Sequence, residues 1–164
     1  MALVQAYSSP FGVLTIWVEN GSVIKIDLPN SVSNFANIAA SSDPQDLAVM
    51  KDCTRQLDDY FGGKLQTFSL PLNPCGTAFQ QRVWEQLTLI PYGETISYSE
   101  LALRAGSPRG ARAAGMACHN NPIPIVIPCH RVIGKNGSLT GFGGGLSLKE
   151  KLIDLEVRNK HSNS

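Results

Sequence analysis

The chain has 164 residues, with 14 basic and 13 acidic side chains for a formal charge of +1, and 43% of it is apolar. That is enough apolar material for a full core in one domain or in two small ones. No apolar run is long enough to span a bilayer, and no basic segment followed by an apolar stretch opens the sequence, so the expectation is a soluble, cytoplasmic protein with no membrane association.

The small net charge hides an asymmetry. Residues 1–75 carry four basic and seven acidic side chains, whereas residues 76–164 carry ten and six. No acid falls between Glu100 and Glu150, a stretch that holds Arg104, Arg109, Arg112, Arg131 and Lys135. This reads either as a positive face toward a polyanion or as an ordinary solvated surface. The four cysteines (Cys53, Cys75, Cys118 and Cys129) lack CxxC spacing, which argues for reduced thiols rather than a disulfide scaffold or zinc ribbon.

In chain order, Gly12–Val18 and Val23–Leu28 are β-rich runs around Asn20-Gly21, a pattern that predicts a hairpin with a tight turn. Residues 30–44 are small and polar, a loop or weak helix. From Gln45 to Phe61, Leu47, Met50, Leu57 and Phe61 recur at helical spacing, and Gly62-Gly63 stops the helix. Nothing in this half looks chemical, so it reads as a scaffold. Leu70–Gly76, with two prolines and a glycine, reads as a linker.

The second half reads as short helices. Thr77–Leu89 is amphipathic through Phe79, Val83 and Leu87, with Ile90 continuing the spacing before Pro91-Tyr92-Gly93. Ser97 and Glu100 form a predicted capping box for a helix ending near Ala105. Ser107 as cap and Pro108 at the first helical position predict a third helix through about Cys118, and the pair is a candidate helix-turn-helix. Gly110, Ala111, Ala113, Ala114, Gly115 and Ala117 surround Arg112 in that helix. Such small side chains suit either tight helix packing or close approach to a nucleic-acid groove, with Arg112 entering the base stack or holding a phosphate.

Asn121–Pro128 reads as an apolar, proline-studded strand that delivers Cys129, His130 and Arg131 at its tip. A thiol beside potential bases and cations is the arrangement that makes a thiolate nucleophile. Three readings stand together: a cysteine–histidine pair bridged by a turn or a water, a metal site from Cys118, His119, Cys129 and His130, and a buried hydrophobe. The polar loop that follows favours display of Cys129 over burial. Residues 134–145 are glycine-rich, either a floppy hairpin or a loop whose backbone N–H groups grip a ligand. In the last helix, predicted from Ser147 to about Asn159, Glu156 falls on the arc of Leu148, Leu152, Ile153 and Leu155. A carboxylate there needs either solvent or a partner, and His130 is the sensible partner.

Pro128-Cys129-His130-Arg131, preceded by Asn121-Pro122 and followed by Gly143-Gly144-Gly145, resembles the methylated-DNA–protein-cysteine methyltransferases, also called O6-methylguanine-DNA methyltransferases. The resemblance covers about Gly76 to Glu156 and extends loosely into the first half. It implies an α+β fold: an N-terminal ribonuclease-H-like α/β domain over residues 1–75, then a mainly helical, winged-helix-like DNA-binding and alkyl-acceptor domain over residues 76–164. It implies that the protein flips an O6-alkylated guanine out of duplex DNA and moves the alkyl group irreversibly onto Cys129, with O4-methylthymine as a further substrate.

Under that resemblance His130, acting through a water, is the base, Glu156 orients it, and Asn121 braces the turn. Tyr98 helps rotate the nucleotide and protonate the departing guanine. The carbonyls of Cys129 and Val132 accept from the guanine amino group, and the Gly143 N–H donates to O6, with Phe142 and Gly144 beside it. Arg112 fills the vacated stack. Tyr98, Ser99, Ser107, Ala113, Gly115 and Lys135 complete the implied DNA face. Phe142 stands where the family usually has tyrosine, and Cys118 and His119 also depart from common residues. No histidine precedes His119, so no zinc site, and no cofactor, is expected. The remaining alternatives are a non-catalytic lesion-binding relative and a winged-helix regulator. The stand-alone, monomeric form is expected, with no obligate protein partner.

Overall fold

The computed structural model describes residues 2–29, 41–134 and 146–162. The chain folds as two compact units, Met1–Pro74 and Cys75–Ser164, each mixing helix with a small sheet.

In the first unit, strands β1 (Leu3–Ser9), β2 (Gly12–Glu19) and β3 (Ser22–Asp27) form an antiparallel meander in that order. The β2–β3 hairpin closes as expected on Asn20 and Gly21, both left-handed at φ 51° and 78°, which is the backbone a two-residue primed turn requires. Strand β1 was not evident in the sequence; only Leu3 and Tyr7 of it are buried, so its alternation is faint. Helix α1 (Pro44–Phe61) begins at an Asp43 cap that accepts from the Gln45 N–H at 2.8 Å. Its Met50, Cys53, Leu57 and Tyr60 are buried with Leu14, Ile16, Val18, Val23 and Ile26 of the sheet. Leu47, expected on the apolar stripe, is instead 50% exposed. The preceding Asp46 is buried in its place, accepting from the Gly21 N–H at 2.7 Å and the Ser41 hydroxyl at 2.8 Å. Asp46 thus fastens the hairpin turn to the helix. Leu72 extends the sheet by a parallel bridge to Val23. The expected loop over residues 30–44 lies outside the described residues up to position 40.

The second unit is built from α2 (Ala78–Thr88), α3 (Tyr98–Arg104), α4 (Ala111–His119) and α5 (Leu146–Ser162). Two short strands, β4 (Ile96–Ser97) and β5 (Val132–Ile133), pair in parallel; two residues each are too few to leave a periodic signal. Helix α2 starts with a full capping box between Thr77 and Gln80. The Trp84 indole N–H donates to the Ala117 carbonyl at 2.8 Å, tying α2 to α4.

Two expected helix starts differ. Ser97 caps α3 by accepting from the Glu100 N–H, but the Glu100 carboxylate turns outward to Arg104 at 3.0 Å, so the box is half made. Helix α4 starts at Ala111 rather than Pro108, with Gly110 as a cap lacking any side-chain hydrogen bond. Ser107 and Gly110 close a turn between the helices instead, the Gly110 N–H reaching the Ser107 carbonyl at 2.8 Å.

The Asn121–Pro128 segment is not a strand. It doubles back through a Pro124–Ile127 bridge, and residues Cys129–Arg131 form a single 3-10 turn. Prolines remove ladder donors, so an apolar run punctuated by three of them cannot pair as a central strand.

Candidate active site

Asn121 organises the doubled-back segment. Its amide nitrogen donates to the Ile127 carbonyl at 2.8 Å and its amide oxygen accepts from the Ile123 N–H at 3.0 Å, while the side chain lies near enough to Cys129 to favour the anionic sulfur. Ile125 sits at φ 75°, a left-handed backbone that costs a β-branched residue about 1–3 kcal/mol. Burial of Ile123, Ile125, Val126 and Ile127 holds it there. Cys129 therefore arrives at one fixed place. It is buried, 4% exposed, contrary to the expected display at a strand tip.

His130 and Arg131 converge on Glu156 of α5, and all three are buried. His130 Nε2 lies 2.5 Å from Glu156 Oε2. Arg131 donates through Nε to Oε1 at 2.8 Å and through Nη2 to Oε2 at 3.1 Å, while Nη1 reaches the Ile90 carbonyl at 2.7 Å. The Gly93 N–H donates to Oε1 at 3.1 Å. Burial alone would raise the Glu156 carboxyl, but His130 and Arg131 overcome it and hold the group well below the ordinary glutamate value. Arg131 thus belongs to this buried cluster and not to a basic face. The His130 Nδ1 is buried without a hydrogen-bond partner among the described residues.

Lys149 is fully buried, one of the largest such side chains in the structure. Its ammonium donates to the Tyr98 hydroxyl at 3.4 Å and lies 5.6 Å from the centre of that ring. Burial lowers its pKa, and charge on Cys129 and Cys118 pulls it back up. Burial pushes the Cys129 thiol up to about 11, with Asn121 and Lys149 acting in the opposite direction. The Cys118 thiol is also raised, again chiefly by burial.

The structure brings Cys129, Asn121, Lys149 and Tyr98 to one place, and His130 with Glu156 and Arg131 beside it. The Cys129 carbonyl accepts from the Val132 N–H within the turn, and Val132 pairs with Ile96. Arg112 and Ala113 are exposed on α4, and Ser99 is exposed on α3. Gly115 faces Tyr98, where a Cβ would stand 3.6 Å from the ring. Ser107 is half-buried in the turn between the helices. Lys135, Phe142, Gly143 and Gly144 lie outside the described residues. The metal alternative does not assemble: His119 faces solvent and His130 is committed to Glu156.

Lys149 and Arg131 were missed as parts of the site. Lys149 could have been found, because it lies two helical turns before Glu156 on the same arc as Leu152. Among the described residues no helix is long and apolar enough to cross a membrane.

Comparison with known proteins agrees with this geometry. The family profile for the 6-O-methylguanine DNA methyltransferase DNA binding domain matches residues 78–158, and that for the family's ribonuclease-like domain matches residues 3–74. The methylated-DNA–protein-cysteine methyltransferase of Haemophilus influenzae is 44% identical over 151 residues, covering 92% of this chain and 83% of the relative. That of Methanosarcina barkeri is 54% identical over 109 residues, covering 66% and 69%. The crystal structure of Mycobacterium tuberculosis OGT in complex with DNA superposes with a TM-score of 0.82 at 43% identity, covering 95% of this chain and 93% of that one. With both halves matched and identity above 40% along nearly its whole length, the chain belongs to the 6-O-methylguanine DNA methyltransferase family.

Proposed function

We propose that this protein repairs alkylated duplex DNA directly, by a single irreversible transfer of the O6-alkyl group of guanine to its own Cys129. The observation that carries this reading is a buried thiol near the Asn121 amide and beside a histidine whose Nε2 is committed to a buried carboxylate. A thiol raised to about 11 is protonated at neutral pH, so its proton must leave as the bond forms. The open His130 Nδ1 is the acceptor, through one water, and Glu156 stabilises the imidazolium. Asn121 and Lys149 favour the anionic sulfur. The sulfur attacks the alkyl carbon, the C–O6 bond breaks, and its electron pair goes to the guanine, which takes a proton from the Tyr98 hydroxyl. A thioether is a poor leaving group, so Cys129 is spent.

The reactive base must first leave the stack, at a cost of a few kcal/mol that is smallest for a poorly paired lesion. Arg112, exposed on α4, fills the space. Tyr98, Ser99, Ser107, Ala113 and Gly115 lie along the same DNA-facing elements. O4-methylthymine is a further substrate of the same chemistry. The division of labour falls at residues 75 and 76, with the second domain holding both the DNA face and the acceptor. The protein works as a cytoplasmic monomer.

The decisive test is peptide mass spectrometry after mixing the protein with a duplex holding one O6-methylguanine. One methylene mass on the Cys129 peptide, at most one per molecule, is the expected result. Tight binding with no mass change would leave a lesion sensor or DNA-binding regulator in place of a repair protein. A second expectation concerns Arg112→Ala. It slows repair of duplex about tenfold or more, equivalent to about 1.4 kcal/mol, while reaction with free O6-benzylguanine stays within about twofold. Equal losses on both substrates would remove Arg112 from the stacking role.

A further inference from the structure

Helix α4 has one face in the core and one in solvent. Ala114, Ala117 and Cys118 are buried, whereas Arg112, Met116 and His119 are exposed. At about 100° per residue these three exposed positions fall within about 60° of one another, so they form a single stripe along the helix. Met116 is 58% exposed and is the large apolar side chain of that stripe. It stands four residues from Arg112, about 6 Å along the axis, close to the rise of two base pairs.

The chemistry of the stripe narrows what it meets. No acid occurs from Leu101 to Lys149, and Arg112 sits at one end of the stripe, so the partner is anionic. A thioether in the middle calls for apolar surface inside that anionic partner. The minor groove of DNA offers this combination: phosphates on its rims, deoxyribose carbons along its walls and stacked base edges on its floor. Methionine is flexible and polarizable, so it adapts to irregular surfaces and serves as an apolar wedge in grooves.

We propose that Met116 is a second groove-contacting residue beside Arg112, packing its thioether against the sugar wall and base edges about two base pairs from the flipped nucleotide. Its contribution to duplex affinity is apolar, whereas that of Arg112 is largely ionic. The inference rests on the reading of α4 as the DNA-facing helix and adds a residue and a physical character to that face.

The test compares the intact protein with Met116→Ala and Met116→Gln on a duplex containing O6-methylguanine, titrated by fluorescence anisotropy between 50 and 200 mM NaCl. Reaction with free O6-benzylguanine is measured alongside. Met116→Ala weakens duplex binding roughly three- to tenfold at every salt concentration, with the slope of log K against log salt unchanged. Met116→Gln, similar in length but polar, shows the same loss. Arg112→Ala instead makes that slope shallower by about 1. The free-base reaction of both Met116 variants stays within about twofold of the parent. Unchanged duplex affinity, or an equal loss on the free base, overturns the role of Met116 while leaving the repair reading intact. Failure of the parent protein itself to bind duplex overturns the DNA-facing assignment of α4, and the Met116 proposal with it.

Discussion

Cys129→Ser binds a duplex containing O6-methylguanine as the parent does but transfers no methyl group. Displacement at an alkyl carbon needs a soft, polarisable nucleophile that can shed its proton at moderate cost. A serine hydroxyl is harder, and far less acidic than the cysteine thiol even after burial has raised that thiol to about 11. The expected loss of rate is about a thousandfold or more, which is about 4 kcal/mol in barrier. The fold should tolerate the change, since a hydroxyl is no larger than the thiol and stands near the Asn121 amide, so unfolding should shift by no more than about 1–2 kcal/mol. Peptide mapping makes the result specific, because the other three thiols serve as internal controls. Cys53 is buried in the first unit, Cys75 is exposed, and Cys118 is buried within electrostatic reach of Cys129. Methyl appearing on Cys118 in the variant would reassign the acceptor, and methyl still appearing on residue 129 would remove thiol chemistry from the mechanism altogether.

The ease with which the nucleophile and its relay could be read, against the difficulty of reading their surroundings, has a physical origin. Glu156 stood out because a carboxylate on the Leu148, Leu152 and Leu155 arc violates the helix pattern, and a violation of pattern in a buried stripe demands a partner. Lys149 violates the same pattern but carries a long stem that ordinarily snorkels to water, so its full burial depended on neighbours from α3, α4 and the Cys129 turn. Arg131 looked like one more cation in an acid-free stretch; only the fold reveals that both oxygens of Glu156 are clamped by it. The Asn121–Pro128 run misread as a strand for a related reason. Its β-branched residues favour extended backbone locally, yet the two Asn121 side-chain hydrogen bonds close it into a turn in which Ile125 sits at a positive φ. In the first unit, the Asn20-Gly21 hairpin was legible because those residues select the primed turn themselves, whereas β1 depends on pairing with β2 for its register.

Glu156→Gln is expected to cost both catalysis and acid-sensitive stability, and the two losses separate by pH. In the folded protein this carboxylate accepts from His130, twice from Arg131 and from the Gly93 N–H, so removing its charge strands a buried guanidinium and deprives the His130 imidazole of its carboxylate partner. Breaking a buried ion pair in this way costs about 3–5 kcal/mol of stability at neutral pH. The pH dependence follows from the depressed carboxyl. Native Glu156 stays ionised where the unfolded chain begins to protonate, so its stabilisation is fully present above about pH 4.5 and is lost as pH falls below it. Urea unfolding of parent and variant from pH 7 to pH 3.5 should therefore show the gap between them narrowing only below about 4.5. A gap that stays constant across this range would mean that folding does not lower the Glu156 pKa, and a parent that gains on the variant as pH falls from 7 toward 4.5 would mean that Glu156 is not ionised in the native state. Methyl transfer by the folded variant should fall about a hundredfold, the scale of losing an effective proton acceptor, because amide oxygen cannot balance the charge that His130 acquires on taking the Cys129 proton. Transfer at the parent rate, in a variant shown to be folded, would remove Glu156 and His130 from the proton path and leave Asn121 and Lys149 to activate the sulfur by themselves.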